Sequence, residues 1–199
     1  MRRSDVIEPH YITPTANLDS IMVHGIMSHV RATDLAHVSI ANESVQQNRR
    51  NKRLPSGRML HEYANLYFHA RNPMMYFRKD SHLDLVVVRV SAQALDLPGV
   101  MIADGNAART FGTAFWGPTD GLARLDRERV FAEYWTDSDP AEQDEKKRIK
   151  CAEVLVPDLV PPHLLRGVYV SCSESERRLH LTAEVLEVTI DEHMFFYRP

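Results

Sequence analysis

The sequence predicts an α+β fold with a mixed central sheet and helices packed around it. Three observations carry this. Short β-branched and aromatic runs, of which Asp84 to Val90 (Asp-Leu-Val-Val-Val-Arg-Val) is the clearest, outnumber the short helical patterns and interleave with them. Their order is not the regular strand-helix alternation of a doubly wound parallel sheet. The chain has 199 residues, 44% of them hydrophobic, enough to bury a core without disulfide staples. No internal repeat, low-complexity linker or composition shift divides it, so one domain over 1–199 is expected.

Taken in order, His10-Tyr11-Ile12-Thr13 reads as a strand stopped by Pro14. Thr15 is placed to cap a helix over 16–24, with Leu18, Ile21 and Met22 on one face and Gly25 as terminator. Ser39-Ile40-Ala41 leads into a polar helix that ends in a basic cluster, and Leu54-Pro55-Ser56-Gly57 is a turn. A strand over 64–69 is broken by Asn72-Pro73, and 84–90 and 100–102 are strands, the latter ending in the turn Asp104-Gly105-Asn106. Residues 127–135 read as helical and 142–150 as a charged helix or loop. Strands follow at 152–156, 168–171, 185–190 and, as an option, 194–197.

The net charge of −3 does not advertise a polyanion partner, but its distribution is uneven. Arg49, Arg50, Lys52, Arg53 and Arg58 form one basic cluster; Lys146, Lys147, Arg148 and Lys150 form another. Such runs are more often solvated surface charge than ligand sites, though either cluster has the charge to follow phosphates. No apolar run reaches the roughly 20 residues of a membrane span. No apolar stretch follows the basic start, and the two cysteines fit a reducing compartment, so a cytoplasmic protein is expected. The ten histidines are dispersed without ligand spacing, and no metal site is expected. Dinucleotide-binding glycine, Walker, His-Glu-x-x-His and nucleophile-elbow motifs are all missing.

Glu153 is the acid in an otherwise apolar strand. Ala152 and Val154 point to one face, Cys151, Glu153 and Leu155 to the other. On this pattern alone, a strand-end glutamate facing solvent or pairing with a lysine is the commoner case. Arg50, read alone, is an exposed helix end, although a guanidinium fork also suits a diphosphate. The stretch 67–76, dense in aromatics, Met and Arg, is either core around a proline turn or a cleft wall that stacks a flat ring.

Together and in this order the segments resemble the DarT family of DNA ADP-ribosyltransferase toxins. The blocks are Tyr11-Ile12-Thr13 with Asn17-Leu18, Ile21 and Gly25-Ile26; Ser39-Ile40-Ala41 with Val45-Gln46 and Arg49-Arg50; Leu60-His61-Glu62-Tyr63 with Leu66-Tyr67-Phe68, Arg71, Pro73-Met74 and Tyr76; Asp104 to Ala108 with Tyr134-Trp135; and Ala152 to Val156. The resemblance covers nearly the whole chain. It implies an ADP-ribosyltransferase fold whose sheet is split around an NAD cleft, with NAD as co-substrate and no metal. It implies Glu153 and Arg50 as catalytic residues, and Tyr11, Ile12, Thr13, Asn17, Leu18, Arg50, Tyr67 and Met74 around NAD. Arg49, Lys52, Arg53, Arg71, Arg148 and Lys150 would contact DNA, and a loop over about 136–150 would help choose it.

The implied reaction moves ADP-ribose from NAD to a base of single-stranded DNA. A hydrolase antitoxin, of NADAR or macrodomain type, would remove the mark, and no membrane is involved. Thymine-modifying members usually carry His two residues before the first-motif Thr, where this chain has Tyr11, and a Val-Pro pair where it has Asn65-Leu66. These departures resemble the NADAR-associated branch that acts on guanine. The alternatives are RNA or protein as acceptor, and a non-catalytic nucleic-acid-binding module.

Overall fold

The computed structural model describes residues 1–39, 43–179 and 186–198, and of 43–45 the backbone alone. The strands are β1 (His10–Pro14), β2 (Ile26–Met27), β3 (Tyr63–Tyr67), β4 (Leu85–Val90), β5 (Met101–Ala103), β6 (Phe115–Trp116), β7 (Glu153–Pro157), β8 (Leu159–Val160), β9 (Leu165–Val170) and β10 (Glu187–Ile190). The helices are α1 (Leu18–His24), α2 (His29–Ala32), α3 (Glu43–Arg50), α4 (Pro73–Arg78), α5 (Pro118–Arg124), α6 (Arg127–Val130), α7 (Pro140–Lys150) and α8 (Ser173–Arg177). Eight strands form one sheet in the order β10-β9-β4-β1-β3-β7-β5-β6, while β2 and β8 pair separately. Only the β10–β9 pair is parallel among the described pairings, so the sheet is mixed, as the sequence predicts.

The near-continuous apolar run of β4 is what a strand buried on both faces requires. Val86, Val88 and Val90 enter the main core with Leu66, Val154, Val156 and Val168. Leu85 and Val87 pack on the opposite face with Ile12, Met75 and Phe195. On that second face the core is interrupted: Leu54, Leu60, Tyr63 and Leu155 form a further cluster. The interruption lies where the sheet itself is weakest. β1 and β3 share the single register pair His10–Tyr67, whereas β1 pairs with β4 over five residues, His10 to Pro14. One half of the sheet, β10-β9-β4-β1, is thereby hinged to the other, β3-β7-β5-β6.

Turn chemistry explains most element boundaries. Gly25 ends α1 at φ +82°, and a Cβ there would meet the Val160 carbonyl at 2.2 Å, so the close approach of β8 requires glycine. β3 ends at Tyr67, and after a short connection Asn72 caps α4, its side chain accepting from the Met75 N–H at 3.1 Å with Pro73 at the first helical position. The sequence reading took Asn72-Pro73 as a breaker only and so missed α4. Asp139-Pro140 starts α7 in the same way, and the stretch expected as a substrate loop over 136–150 is mostly this helix.

The helix expected over 127–135 stops at Val130. Residues 194–197 form a turn rather than a strand: Phe196 has φ +58°, and Met194 and Phe195 plug the core beneath β4. The Ile40-Ala41 and Val185 parts of the sequence reading lie outside the described residues. Among the described residues, no helix is long and apolar enough to cross a membrane.

Candidate active site

A cavity of about 380 Å³ opens where β1 and β3 part. That is within the roughly 300–1,000 Å³ of small-molecule sites. Tyr11, Ile12 and Thr13 wall it from β1; Tyr63, Asn65 and Tyr67 wall it from β3. The alternation of β3 places these three on one face while Ala64 and Leu66 enter the core. Arg49 and Gln46 of α3, Met74 of α4, and His29 and His61 complete the sides used below.

Glu153 stands behind this wall. β7 sets it opposite Tyr67 on one neighbour and Ala103 on the other. It is 1% exposed, and it is the only acid among the buried described residues. A carboxylate so placed persists only if both oxygens are satisfied. Arg49 Nη1 donates to Oε2 at 3.2 Å, and the Ala107 N–H donates to Oε1 at 2.9 Å.

The loop 104–109 that delivers Ala107 is itself braced. Arg148 Nη1 donates to the Asp104 carboxylate at 2.9 Å, and the Asn106 N–H donates to the Arg148 carbonyl at 3.1 Å. Lys52 Nζ donates to the Ala107 carbonyl at 2.9 Å and also to the Arg109 carbonyl. Gly105 fits the close approach of α7 here, since a Cβ would meet the Arg148 backbone carbonyl at 2.9 Å and its Cγ at 2.8 Å.

Three wall residues carry buried polar atoms with no hydrogen-bond partner among the described residues: Gln46 Oε1, Arg49 Nη2 and His61 Nε2. Each such atom costs free energy, about 1–3 kcal/mol by mutational experience. Their concentration in one cavity fits a ligand with both donors and acceptors. Burial, followed by the His29, Arg49 and Arg50 charges, brings the His61 pKa down to about 4. Burial and the His37 charge lower His29, whose ring lies 4.2 Å from that of His61. Burial, reinforced by the Glu153 charge, raises Tyr67 well above its usual value and pushes the Cys151 thiol up to about 12. That leaves Cys151 unreactive. The described residues hold no group of three or more His, Cys, Asp or Glu side chains placed for a metal ion.

Tyr11, Ile12, Thr13, Asn17, Tyr67 and Met74 all reach the cavity. Asn17 braces its wall: its amide donates to Thr13 Oγ1 and the Val38 carbonyl and accepts from the Val38 N–H. Leu18, expected beside them, points into the main core because α1 begins there and buries that face.

Arg50, expected at the centre, is exposed on α3; Arg49, expected on DNA, is 7% exposed and turned in to Glu153. Lys52 and Arg148 are spent on the 104–109 loop, and Arg148 also pairs with Glu145. Lys150 is buried, donating to the Val130 carbonyl with His69 beside it; burial brings its pKa down to about 8. None of these three presents a free surface charge for a phosphate. Arg53 is exposed and donates to the Gly57 carbonyl, and Arg71 lies across α4 from the cavity, beside Phe196. Gln46 and His61 stand in the family-like motifs without an assigned role, and Asn65 only as a departure that bears on the choice of base. Only Asn65 carried a legible signal, a polar residue between Tyr63 and Tyr67 on one face of its strand; the α3 sequence has no apolar period to set Gln46 against.

The family profile described as "ssDNA thymidine ADP-ribosyltransferase, DarT" matches residues 10–196. The chain belongs to the DarT family. It is 31% identical over 198 residues to a Thermosipho africanus "DNA ADP-ribosyl transferase-DNA ADP-ribosyl glycohydrolase fusion protein", covering 96% of this chain and 50% of that one. The chain thus spans about half the length of that DarT relative. The structure of T. africanus DarTG with ADP-ribose superposes with a TM-score of 0.80 at 28% identity, covering 96% of this chain and 51% of the other. Thermus sp. 2.9 DarT shares the fold: its complex with ADP-ribosylated ssDNA gives 0.79 at 24% identity, covering 96% and 97%, and its NAD+ complex gives 0.72 at 23% identity, covering 96% and 98%.

Proposed function

We propose that this chain, as one domain over 1–199, transfers ADP-ribose from NAD to a base of single-stranded DNA. The observation that carries the reading is the buried Arg49–Glu153 pair set directly behind a cavity whose walls hold unpartnered polar atoms. The DarT relatives whose structures hold ADP-ribose, NAD+ and ADP-ribosylated ssDNA share this fold.

The reaction breaks the bond between nicotinamide and the ribose C1′ and forms a bond from C1′ to a base nitrogen. Nicotinamide leaves as a neutral ring, and positive charge builds on the ribose in the transition state. Glu153 supplies negative charge for it, which a dry site makes effective. Its carboxylate then takes the proton lost by the base, a role typically worth about 10²–10⁴ in rate. Arg49, with Nη1 on Glu153 and Nη2 unpartnered, orients that carboxylate and offers its second nitrogen to the diphosphate or the ribose. This role moves from Arg50 to its neighbour. Neutral His61 and Tyr67 give the wall hydrogen-bonding capacity without competing charge.

The acceptor base is guanine or thymine. The family description names thymidine, while the two departures that favour guanine, Tyr11 and Asn65, both line the cavity. A transferase of this kind acts as a toxin in the cytoplasm and needs a hydrolase that removes the mark, an activity fused to the Thermosipho relative.

The test is mass spectrometry of a mixed-sequence single-stranded oligonucleotide incubated with NAD and the protein, beside Glu153→Gln. The expected product carries one ADP-ribose, is absent with Glu153→Gln, and identifies its base on fragmentation. An unmodified oligonucleotide with nicotinamide still released would move the acceptor to RNA or protein. Equal modification by Glu153→Gln would remove Glu153 from the chemistry.

A further inference from the structure

A second groove lies on the other side of α4. Helix α4 turns Met74 and Phe77 to the NAD cavity and Tyr76 into this groove, which runs between the helix, the 131–139 connection and the C-terminal turn. It encloses about 800 Å³.

Its floor is a set of aromatic rings in mutual edge contact. Tyr76 lies 5.8 Å from Trp135 and 5.1 Å from Phe196, and Trp135 lies 5.7 Å from Phe196. The rings are not consumed by the core, for Tyr76 is 50% exposed. Arg71 closes the inner end with its guanidinium 3.8 Å from the Phe196 ring. It is buried, donates through Nη1 to the His193 carbonyl, and keeps an Nε with no partner among the described residues. Around this floor stand Lys79, Lys147 and Arg198, against Glu133 and Glu192. Lys79 is paired with Asp80 at 2.8 Å, which leaves Arg71, Lys147 and Arg198 against two carboxylates, a small excess of positive charge. Open aromatic faces under cationic walls suit an unpaired nucleobase with its phosphate. A duplex would keep its base faces stacked on one another.

We infer that this groove seats a nucleobase of the acceptor strand, a few nucleotides from the one being modified. The inference rests on the reading of single-stranded DNA as the acceptor. The strand crosses α4, whose diameter with side chains is about 10–12 Å. The base stacks on the half-exposed Tyr76 ring and meets Trp135, which stands at 82° to it, edge-on, and the backbone phosphates meet Lys147 and Arg198. Stacking reads any base face, so the groove adds affinity rather than sequence choice. Base identity at the reacting position stays with the cavity.

The experiment compares acceptor oligonucleotides of increasing length on the full chain, following both KM for DNA and filter or anisotropy binding without NAD. With the wild type, KM falls as the strand becomes long enough to reach the groove. Tyr76→Ala and Trp135→Ala, each checked for native melting, raise KM and weaken binding about tenfold for long strands. They leave the shortest acceptors at their wild-type KM, and Lys147→Ala lowers the salt dependence of binding. Wild-type length dependence in the aromatic variants, with DNA still modified, would overturn the groove and leave the transferase reading standing. A wild type that neither binds nor modifies DNA would overturn both.

Discussion

The two basic clusters look alike in the sequence and do different work in the fold. At the end of α3, Arg49 turns inward to Glu153 while Arg50 turns out. At the end of α7, Arg148 turns inward to Asp104 while Lys147 turns out. Adjacent helical residues point about 100° apart, so a run of cations at a helix end always divides between the interior and solvent. The difference lies in what the inward member meets. Arg49 meets the buried carboxylate and a cavity, so it holds a group that is available to chemistry. Arg148 meets a loop carboxylate and a backbone carbonyl, so it holds the scaffold that holds that group. Charge density alone does not separate ligand-facing from load-carrying cations.

The largest effect is expected from the inward member of α3. Arg49→Lys keeps a charge near Glu153 but loses the second nitrogen of the fork, and the adduct-forming rate falls about 10²–10³-fold, as for loss of one preorganised donor. Arg49→Met leaves Glu153 buried with the Ala107 N–H alone, and breaking a buried pair in this way costs about 3–5 kcal/mol of stability. Adduct rates on a fixed oligonucleotide, read with thermal melts, check both. A wild-type rate in Arg49→Lys would place the chemistry away from this pair.

Arg148→Met comes next and sharpens the contrast. It removes the ion pairs to Asp104 and Glu145 and frees the 104–109 loop. Melting temperature falls, and the transfer rate falls with it because Ala107 no longer fixes the Glu153 carboxylate. The distinguishing readout is Asp104→Asn: a positioning role through the loop predicts the same direction of change from either end of the pair. If Arg148→Met lowered DNA affinity and left melting unchanged, Arg148 would be a phosphate contact after all.

Much of the scaffold was legible because local signals agreed with the fold. The β-branched run of β4, the Pro14 stop, Gly25 and the turn at Asp104-Gly105-Asn106 each fix one boundary by backbone chemistry. Glu153 was legible as an acid on an apolar strand. The α3 register was not, since nothing within Arg49-Arg50 says which guanidinium faces the sheet; that is set by the packing of α3 over the wall near Leu60 and His61. Helix α4 was missed because Asn72-Pro73 reads as a strand breaker, whereas the strand already ends at Tyr67 and the pair starts a helix. Residues 194–197 read as a strand from their apolar content, but the left-handed φ at Phe196 closes them into a turn.

Each cluster also depresses a nearby histidine, which gives the comparison a pH readout. Burial, with the His29, Arg49 and Arg50 charges behind it, holds His61 near pKa 4; burial, with the Lys150 charge behind it, holds His69 near 3. Both values lie below the ordinary 6.5, so the unfolded chain takes up protons that the folded rings refuse. The stability tied to the neutral rings is complete above about pH 6.5 and is lost as the pH falls toward 4 and then 3. Melting temperature measured from pH 7 to pH 4 should fall, and His61→Asn and His69→Asn should each flatten that slope. An unchanged slope in His61→Asn would mean that its ring is open to protons, and hence that the α3 wall is looser than its geometry.

The smallest effect is expected from Arg50→Ala, and it is the sharpest test of register. Arg50 is exposed, absent from the cavity wall, and felt there only as a charge acting on His29 and His61. Exposed substitutions of this kind usually change stability by no more than about 0.5 kcal/mol. Charge effects from solvent are screened over about 8–10 Å at ordinary ionic strength. Arg50→Ala should therefore leave the adduct rate within a few-fold of wild type, and even that difference should shrink as salt is added. A loss as deep as that of Arg49→Lys, persisting in high salt, would mean that α3 sits rotated by one residue when substrates bind, with Arg50 brought to Glu153 and Arg49 released. The pair of variants thus decides between two registers of one helix.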